Sequence, residues 1–281
     1  MQEQSFTSLR EELTIASSLV FEAGKKIRSI YQTHFSVQWK AENDPLTEAD
    51  LVANDIITAG LVRHFPNDSI LSEEAKDNPD RLKNDRVWIL DPIDGTREFV
   101  KKNPEFAVSL GLSVKGKPTL GLVFNPIKEE IFLGIVGLGI SRDGKDFSKL
   151  DFSNTIKKPS LVVSKSENSK GLFSSQEWTE EFSITEVGSI AYKLALVAID
   201  QFDLIISRKP KNEWDICAGV ALVLSAGGKV FDLNELKEIS FNEETIRKNG
   251  IIAGNPFIVE KLITEKKEFL QNSYIDTWNY S

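Results

Sequence analysis

The chain of 281 residues is 41% hydrophobic and 27% charged, which excludes a disordered chain and suits one large domain or two packed halves. Its formal charge of −8 argues against the broad basic surface that long nucleic acids require, yet a small anion could still be carried by metal ions. The single cysteine, Cys217, precludes an intrachain disulfide, and the most apolar central stretch, Ile131 to Ile140, falls short of the roughly 20 residues of a membrane span. With no signal-like N-terminus, a reducing cytoplasm is the expected setting.

In chain order, Leu9, Leu13, Ala16 and Val20 recur at helical spacing and predict an amphipathic helix from about Ser5 to Tyr31, with Arg10, Glu11 and Lys25 outside. Thr47 followed by Asp50 resembles a capping box and starts a second helix, whose buried face is expected at Val52, Ile56, Ala59 and Val62. Short strands are expected at Ser69 to Leu71, Val87 to Leu90, Phe106 to Val114, Leu120 to Phe124 and Ile131 to Ile135, with a turn at Lys115 to Pro118. A polar run follows, and a boundary between Ile140 and Ser160 divides the chain into halves 1–150 and 151–281. Beyond it the pattern predicts a strand at Leu161 to Ser164, a helix from Ile190 to Ala198 and a strand at Asp203 to Ile206. An apolar helix from Asp215 to Ser225, strands near Lys229 to Phe231 and Ile251, and a helix after Pro256 complete an α/β chain.

The most informative segment is Val87-Trp88-Ile89-Leu90-Asp91-Pro92-Ile93-Asp94-Gly95-Thr96, an apolar run that stops at two acids, a proline and a glycine. Pro92 fixes its own φ and Gly95 permits a tight backbone, so both carboxylates can converge. A bare Asp-Gly is ordinarily a turn, but a second strand, Ser69 to Ser72, runs straight into Glu73 and Glu74. Four carboxylates in one pocket repel, a like pair at ~4 Å by about 4 kcal/mol at an effective dielectric near 20. Cations are therefore required. The ligands are hard oxygens, and His34 and His64 belong to no motif, so Mg²⁺ fits better than zinc. Cys217 has no paired base and reads as a small core residue.

Asp91-Pro92-Ile93-Asp94-Gly95-Thr96, the upstream Glu73-Glu74 and Trp214-Asp215-Ile216-Cys217-Ala218-Gly219 together resemble the signatures of the inositol monophosphatase superfamily, from the first helix to about Asn255. Lys40 to Asp50 (KAENDPLTEAD), Leu71 to Glu74 (LSEE) and Thr96 to Asn103 (TREFVKKN) are similar to its CysQ-type 3′(2′),5′-bisphosphate nucleotidases. The resemblance implies a layered α-β-α-β-α sandwich of the inositol monophosphatase and fructose-1,6-bisphosphatase type. It also implies a site holding two to three Mg²⁺ ions. Glu73, Asp91 and the Ile93 carbonyl would hold one, Asp91, Asp94 and Asp215 a second, and a looser third would lean on Glu73. Asp50 and Thr96, with Glu73, would orient and deprotonate the attacking water, and Glu74 would tune the cluster or stand solvated beside it.

For the substrate, the resemblance implies Gly95, Thr96, Ser164, Gly188, Ser189 and Lys193, of which Gly188 and Ser189 sit at a helix start suited to a phosphate. Lys193 reads equally as a solvent-exposed helix cation, and Lys101 and Lys102 either reach over the site or form a charged surface loop. Glu167 stands where the CysQ type tends to show His, which weakens the nucleotide side of the match. The implied activity is 3′-phosphate removal from adenosine 3′,5′-bisphosphate, with lithium inhibition. An inositol or sugar phosphate monoesterase and a non-catalytic phosphometabolite sensor are the alternatives. The expected partners are a small phosphorylated substrate and, compatibly, a second copy of the chain. The aromatic tail at Trp278 and Tyr280 has no counterpart.

Overall fold

The computed structural model describes residues 2–41, 44–144, 148–152 and 157–276. Glu42, Asn43, parts of the expected junction and the tail at Trp278 and Tyr280 lie outside the described residues. Helix α1 (Gln2–Tyr31) leads to a small hairpin, β1 (Val37–Ala41) and β2 (Asp44–Thr47), and then to α2 (Glu48–His64). Next come β3 (Ser69–Ser72), β4 (Arg86–Asp94), the short helix α3 (Thr96–Val100), β5 (Ala107–Val114), β6 (Lys117–Asn125), β7 (Glu130–Ile135) and β8 (Gly139–Arg142). The second half contains β9 (Ser160–Ser164), α4 (Lys165–Asn168), α5 (Gln176–Glu181), β10 (Ser183–Val187), α6 (Ile190–Ala198), β11 (Leu204–Ser207) and β12 (Lys211–Asn212). It closes with α7 (Glu213–Ala226), β13 (Lys229–Phe231), β14 (Arg247–Lys248), β15 (Ile251–Gly254), α8 (Pro256–Glu265) and α9 (Lys267–Ser273).

Strands β3 to β8 form a six-stranded sheet in sequential order, and a five-stranded sheet runs β10-β9-β11-β15-β13. One face of the six-stranded sheet buries Leu90, Leu110 and Leu122 against Val20, Ala23, Ile27, Ala53 and Ile57 of α1 and α2. The other face shares a core with α6, α7 and the five-stranded sheet, joining Val87, Ile89 and Val123 to Leu194, Cys217, Val220, Val162 and Ile205. The far face of the second sheet packs Leu161, Leu204 and Ile252 on Val259 and Leu262 of α8. The layers are thus α-β-α-β-α, each sheet burying both faces because each is covered on both sides. Helices α6 and α7 come from the second half of the chain yet lie against the first sheet. Glycines permit this approach: a Cβ on Gly121 would sit 2.2 Å from the Ala218 carbonyl oxygen, and one on Gly111 would sit 2.7 Å from Cys217 Sγ.

The expected buried face of α2 is corrected by about one residue. Asp50, Ala53, Asn54, Ile57 and Leu61 point inward, while Val62 is 60% exposed. The cap determines the rotation: Thr47 donates its amide and hydroxyl to Asp50 Oδ2 at 2.8 and 2.6 Å, which turns that acid into the protein and carries i+3, i+4, i+7 and i+11 with it. Strand β4 runs four residues beyond the expected Leu90, and β1, β2, β8 and β10 were not legible in the apolar pattern.

Candidate active site

The site forms where two parallel strands end. Strands β3 and β4 pair in parallel, Ser72 opposite Leu90, so Glu73, just past the end of β3, comes level with Asp91 on β4. The Glu73 amide still donates to the Leu90 carbonyl at 3.2 Å. In a regular strand Asp91 and Asp94, three residues apart, would face opposite ways. A bulge prevents this: Asp91 pairs with Ser109 and Asp94 with Ala107, so three steps on β4 oppose two on β5. Both acids therefore share a face, and Pro92 sits inside the irregularity, where its missing N–H breaks no regular ladder. Gly95, at φ +99°, then turns the chain into α3, and the Ile93 amide donates to Asp91 Oδ1 at 2.9 Å.

The third acid arrives by a helix cap. Asp215 is the N3 residue of α7 and accepts the Asn212 amide at 2.8 Å, as Asp50 accepts that of Thr47 in α2. The sequence signal for it, Asn212 three residues before Asp215, is the capping-box spacing that Thr47 and Asp50 also show. Carboxylate oxygens of Asp91, Asp94 and Asp215 lie within 4.8 Å of one another, and among the described residues none forms a salt bridge. Burial, then the charges of Glu73 and its neighbours, pushes Asp91 well above the usual carboxylate range. Asp215 moves the same way, from burial and then the charges of Asp94 and Glu73. Asp94 is raised by burial but relieved by the start of α6: the Ser189 hydroxyl and the Ala191 amide both donate to its Oδ2.

Asp50 lies beside this cluster. Its Oδ2 is occupied by the cap, its Oδ1 is 3.2 Å from the Thr96 hydroxyl, and that hydroxyl is also 3.0 Å from the Ile93 carbonyl. Burial raises Asp50 to about 6, partly opposed by its bonds to Thr47. Glu73 is near enough for its charge to raise Asp50, Asp91 and Asp215, but its carboxylate pairs with Lys40 of β1 at 3.0 Å, and Glu74 pairs with the same ammonium at 2.5 Å. The donor set tests well against Mg²⁺. It is made of the carboxylates of Asp91, Asp94 and Asp215 with no His or Cys among them, and its mutual repulsion is what a hard divalent cation would relieve.

The expected substrate contacts fare differently. The start of α6 holds the Asp94 carboxylate in place of a phosphate, and the Gly188 amide is taken by Glu105 Oε2 at 2.8 Å. Lys193 is neither a surface cation nor open to a ligand. It is 2% exposed and donates to the carbonyls of Val187, Gly188 and Ser189 at 2.9 to 3.1 Å, and burial lowers its ammonium to about 8. It supports the loop that precedes α6. Ser164 pairs with Ser166 at 2.9 Å, and the ammonium of Lys102 turns away to the carbonyls of Tyr31 and Thr33. Glu167, only 1% exposed, accepts from Ser207, the Arg208 amide and Lys211. His34 and His64 are exposed, and Cys217 is buried.

Residues 8–271 match the model of the inositol monophosphatase family. The chain is 31% identical to inositol monophosphatase 1 of Solanum lycopersicum over 266 residues, covering 91% of this chain and 94% of that protein. It is 35% identical to the 3′(2′),5′-bisphosphate nucleotidase CysQ of Shigella flexneri over 215 residues, covering 75% and 86%. In structure it resembles the extragenic suppressor protein SuhB of Bartonella henselae, with a TM-score of 0.77, 26% identity and coverage of 94% and 98%. A family match over residues 8–271 and a relative 31% identical over 91% of the chain show that the chain belongs to the inositol monophosphatase family.

Proposed function

We propose that the chain is a Mg²⁺-dependent phosphomonoesterase that removes the 3′-phosphate of adenosine 3′,5′-bisphosphate, yielding AMP and phosphate. The observation that carries the reaction class is the convergence of Asp91, Asp94 and Asp215 within 4.8 Å, with the Asp50–Thr96 pair beside it. Asp91, Asp94, Asp215, Glu73 and the Ile93 carbonyl would hold the ions. When bound, the ions would acidify a water and neutralise the charge on the attacking and leaving oxygens. Thr96 orients that water through its hydroxyl, and Asp50 takes the proton on Oδ1, because its other oxygen is committed to the helix cap. Ser189 and the Ala191 amide fix the rotamer of Asp94.

The nucleotide branch is supported by Thr96 to Asn103 (TREFVKKN) and Leu71 to Glu74 (LSEE), and by the similarity to a CysQ nucleotidase. A second reading, an inositol or sugar phosphate monoesterase, is favoured by Glu167, a buried carboxylate where a second phosphate would prefer a donor. Cytoplasmic work on a small diffusible phosphate, the two-half division at about residue 150 and pairing with a second copy belong to the same proposal. Phosphate release from adenosine 3′,5′-bisphosphate, inositol 1-phosphate and a sugar phosphate, with and without Mg²⁺, tests it. A preference for the inositol ester would reverse the choice of branch, and release independent of any divalent ion would remove the reaction class.

A further inference from the structure

A buried network lies beside the site and links the two carboxylate-bearing segments. The connection between β3 and β4 begins at Glu73, and its short 3₁₀ turn (Pro79–Lys83) carries Arg81, which is 1% exposed. Arg81 grips Asp77 with two nitrogens, at 2.7 and 3.0 Å, which fastens the connection to itself. Its remaining donors leave the N-terminal half: Nη1 reaches Asn242 Oδ1 at 2.9 Å and Nη2 the Glu243 carbonyl at 3.1 Å. Asn242 answers with its side-chain amide, which donates to the carbonyls of Arg81 and Asn84 at 3.0 and 3.3 Å. The backbone amides of Asn242 and Glu243 then donate to the carboxylate of Glu213, at 2.7 and 3.1 Å. Glu213 has no solvent exposure, is ion-paired to Lys248 at 3.0 Å, and is the first residue of α7, two before Asp215.

We propose that Arg81 and Asn242 are positioning residues for the carboxylate site: they hold the connection that starts at Glu73 in register with the helix that carries Asp215. The inference rests on the metal reading above. Its physical basis is that a fully buried guanidinium and carboxylate are costly unless each bond is made, so the network has one low-energy arrangement and fixes the spacing of the segments it joins. Neither residue is among the acids that would hold the ions.

Calorimetric titration of Mg²⁺ into the purified full chain tests this without relying on turnover. Arg81→Met should weaken Mg²⁺ binding by about tenfold, the lower end of what loss of outer support costs a metal site. Asn242→Gly is the milder cut. Asn242 sits at φ +58°, which glycine adopts readily, and its backbone bond to Glu213 survives while the side-chain link to Arg81 goes. It should weaken binding in the same direction, and it decides the matter if Arg81→Met fails to fold. Arg86→Met is the control. It removes comparable ion pairs, to Asp68 and Glu12, at the opposite end of β4 from Asp91, and should leave Mg²⁺ affinity within about twofold of the original. Arg81→Lys should recover part of the loss, because an ammonium keeps the charge but not the planar fork that reaches Asp77, Asn242 and Glu243 at once. Unchanged affinity in both Arg81→Met and Asn242→Gly, or an equal loss in Arg86→Met, would overturn the proposal. Absence of Mg²⁺ uptake by the unaltered protein would instead overturn the metal reading, and this inference with it.

Discussion

Replacing Asp215 with Asn should stabilise the metal-free protein while abolishing its activity. The carboxylate oxygens of Asp91, Asp94 and Asp215 crowd within 4.8 Å, and two like charges ~5 Å apart repel by about 3 kcal/mol at an effective dielectric near 20. Asp215 faces two such neighbours. Burial and mutual charge both hold Asp91 and Asp215 above the usual carboxylate range, the direction expected where crowding penalises the charged forms. A net gain of about 1 to 3 kcal/mol remains when one acid is made neutral, or roughly 2 to 6 °C in Tm for a chain of this size. Asparagine keeps a side-chain oxygen to accept the Asn212 amide, so the cap of α7 survives and the comparison isolates charge. Thermal unfolding in chelator near neutral pH measures the gain, and phosphate release in Mg²⁺ measures the loss. Added Mg²⁺ should raise the Tm of the original protein and not that of the variant. A variant less stable than the original in chelator, or one retaining more than about a tenth of the turnover, would refute the reasoning.

Thr47→Ala removes the cap of α2 and one of the bonds that fix Asp50, and should cost about 1 kcal/mol of stability. It should also lower kcat about tenfold with Mg²⁺ affinity unchanged, since the group moved is the proposed base and not a proposed ligand; an unaltered kcat would contradict that role. Lys193→Met removes the ammonium from the carbonyls of Val187, Gly188 and Ser189, the last of which keeps the amide of residue 193, and should cost about 2 to 4 kcal/mol. Well below its Tm the variant should show little change in KM, whereas a large KM rise at unaltered stability would return Lys193 to the substrate contacts. Asp50, raised by burial to about 6 in the metal-free protein, must be ionised to accept a proton, so kcat/KM in Mg²⁺ should fall at acid pH, with a midpoint at or below about 6 because the adjacent cations favour the carboxylate. For stability the sign is opposite. A carboxylate raised in the folded state favours folding below its unfolded pKa, and about 3 kcal/mol is lost as pH rises from the ordinary value through about 6. Tm in chelator should therefore decrease across that interval; an increase would contradict the assignment.

The elements with strong periodicity were legible: α1 on Leu9, Leu13, Ala16 and Val20, α6 across its whole span, and the apolar strands of the first sheet. What failed had weak or competing signals. Helix α2 carries apolar residues all round, so only the inward turn of Asp50 decides whether Ile56 or Ile57 is buried. Strands β1 and β2 are short and form a two-stranded sheet with each other, and β10 (SITEV) joins the edge of the second sheet beside β9, so no alternation over a buried face marks them. At the site, the acids were readable as types and spacings, but their convergence depends on a bulge and two helix caps. The bulge was hidden by Pro92, which looked like the end of the strand. Lys193 and Glu167 resisted reading for a different reason. A buried charge is recognisable only once its partners, such as the Val187 carbonyl or Ser207, are known.

The most direct measurement is anomalous scattering from a crystal of the protein soaked in Mn²⁺, a stand-in for Mg²⁺ with oxygen ligands. The carboxylates gathered from β4 and α7 predict peaks in contact with Asp91, Asp94 and Asp215 together. Manganese bound elsewhere, with no peak at these three acids in a protein that still releases phosphate, would contradict it.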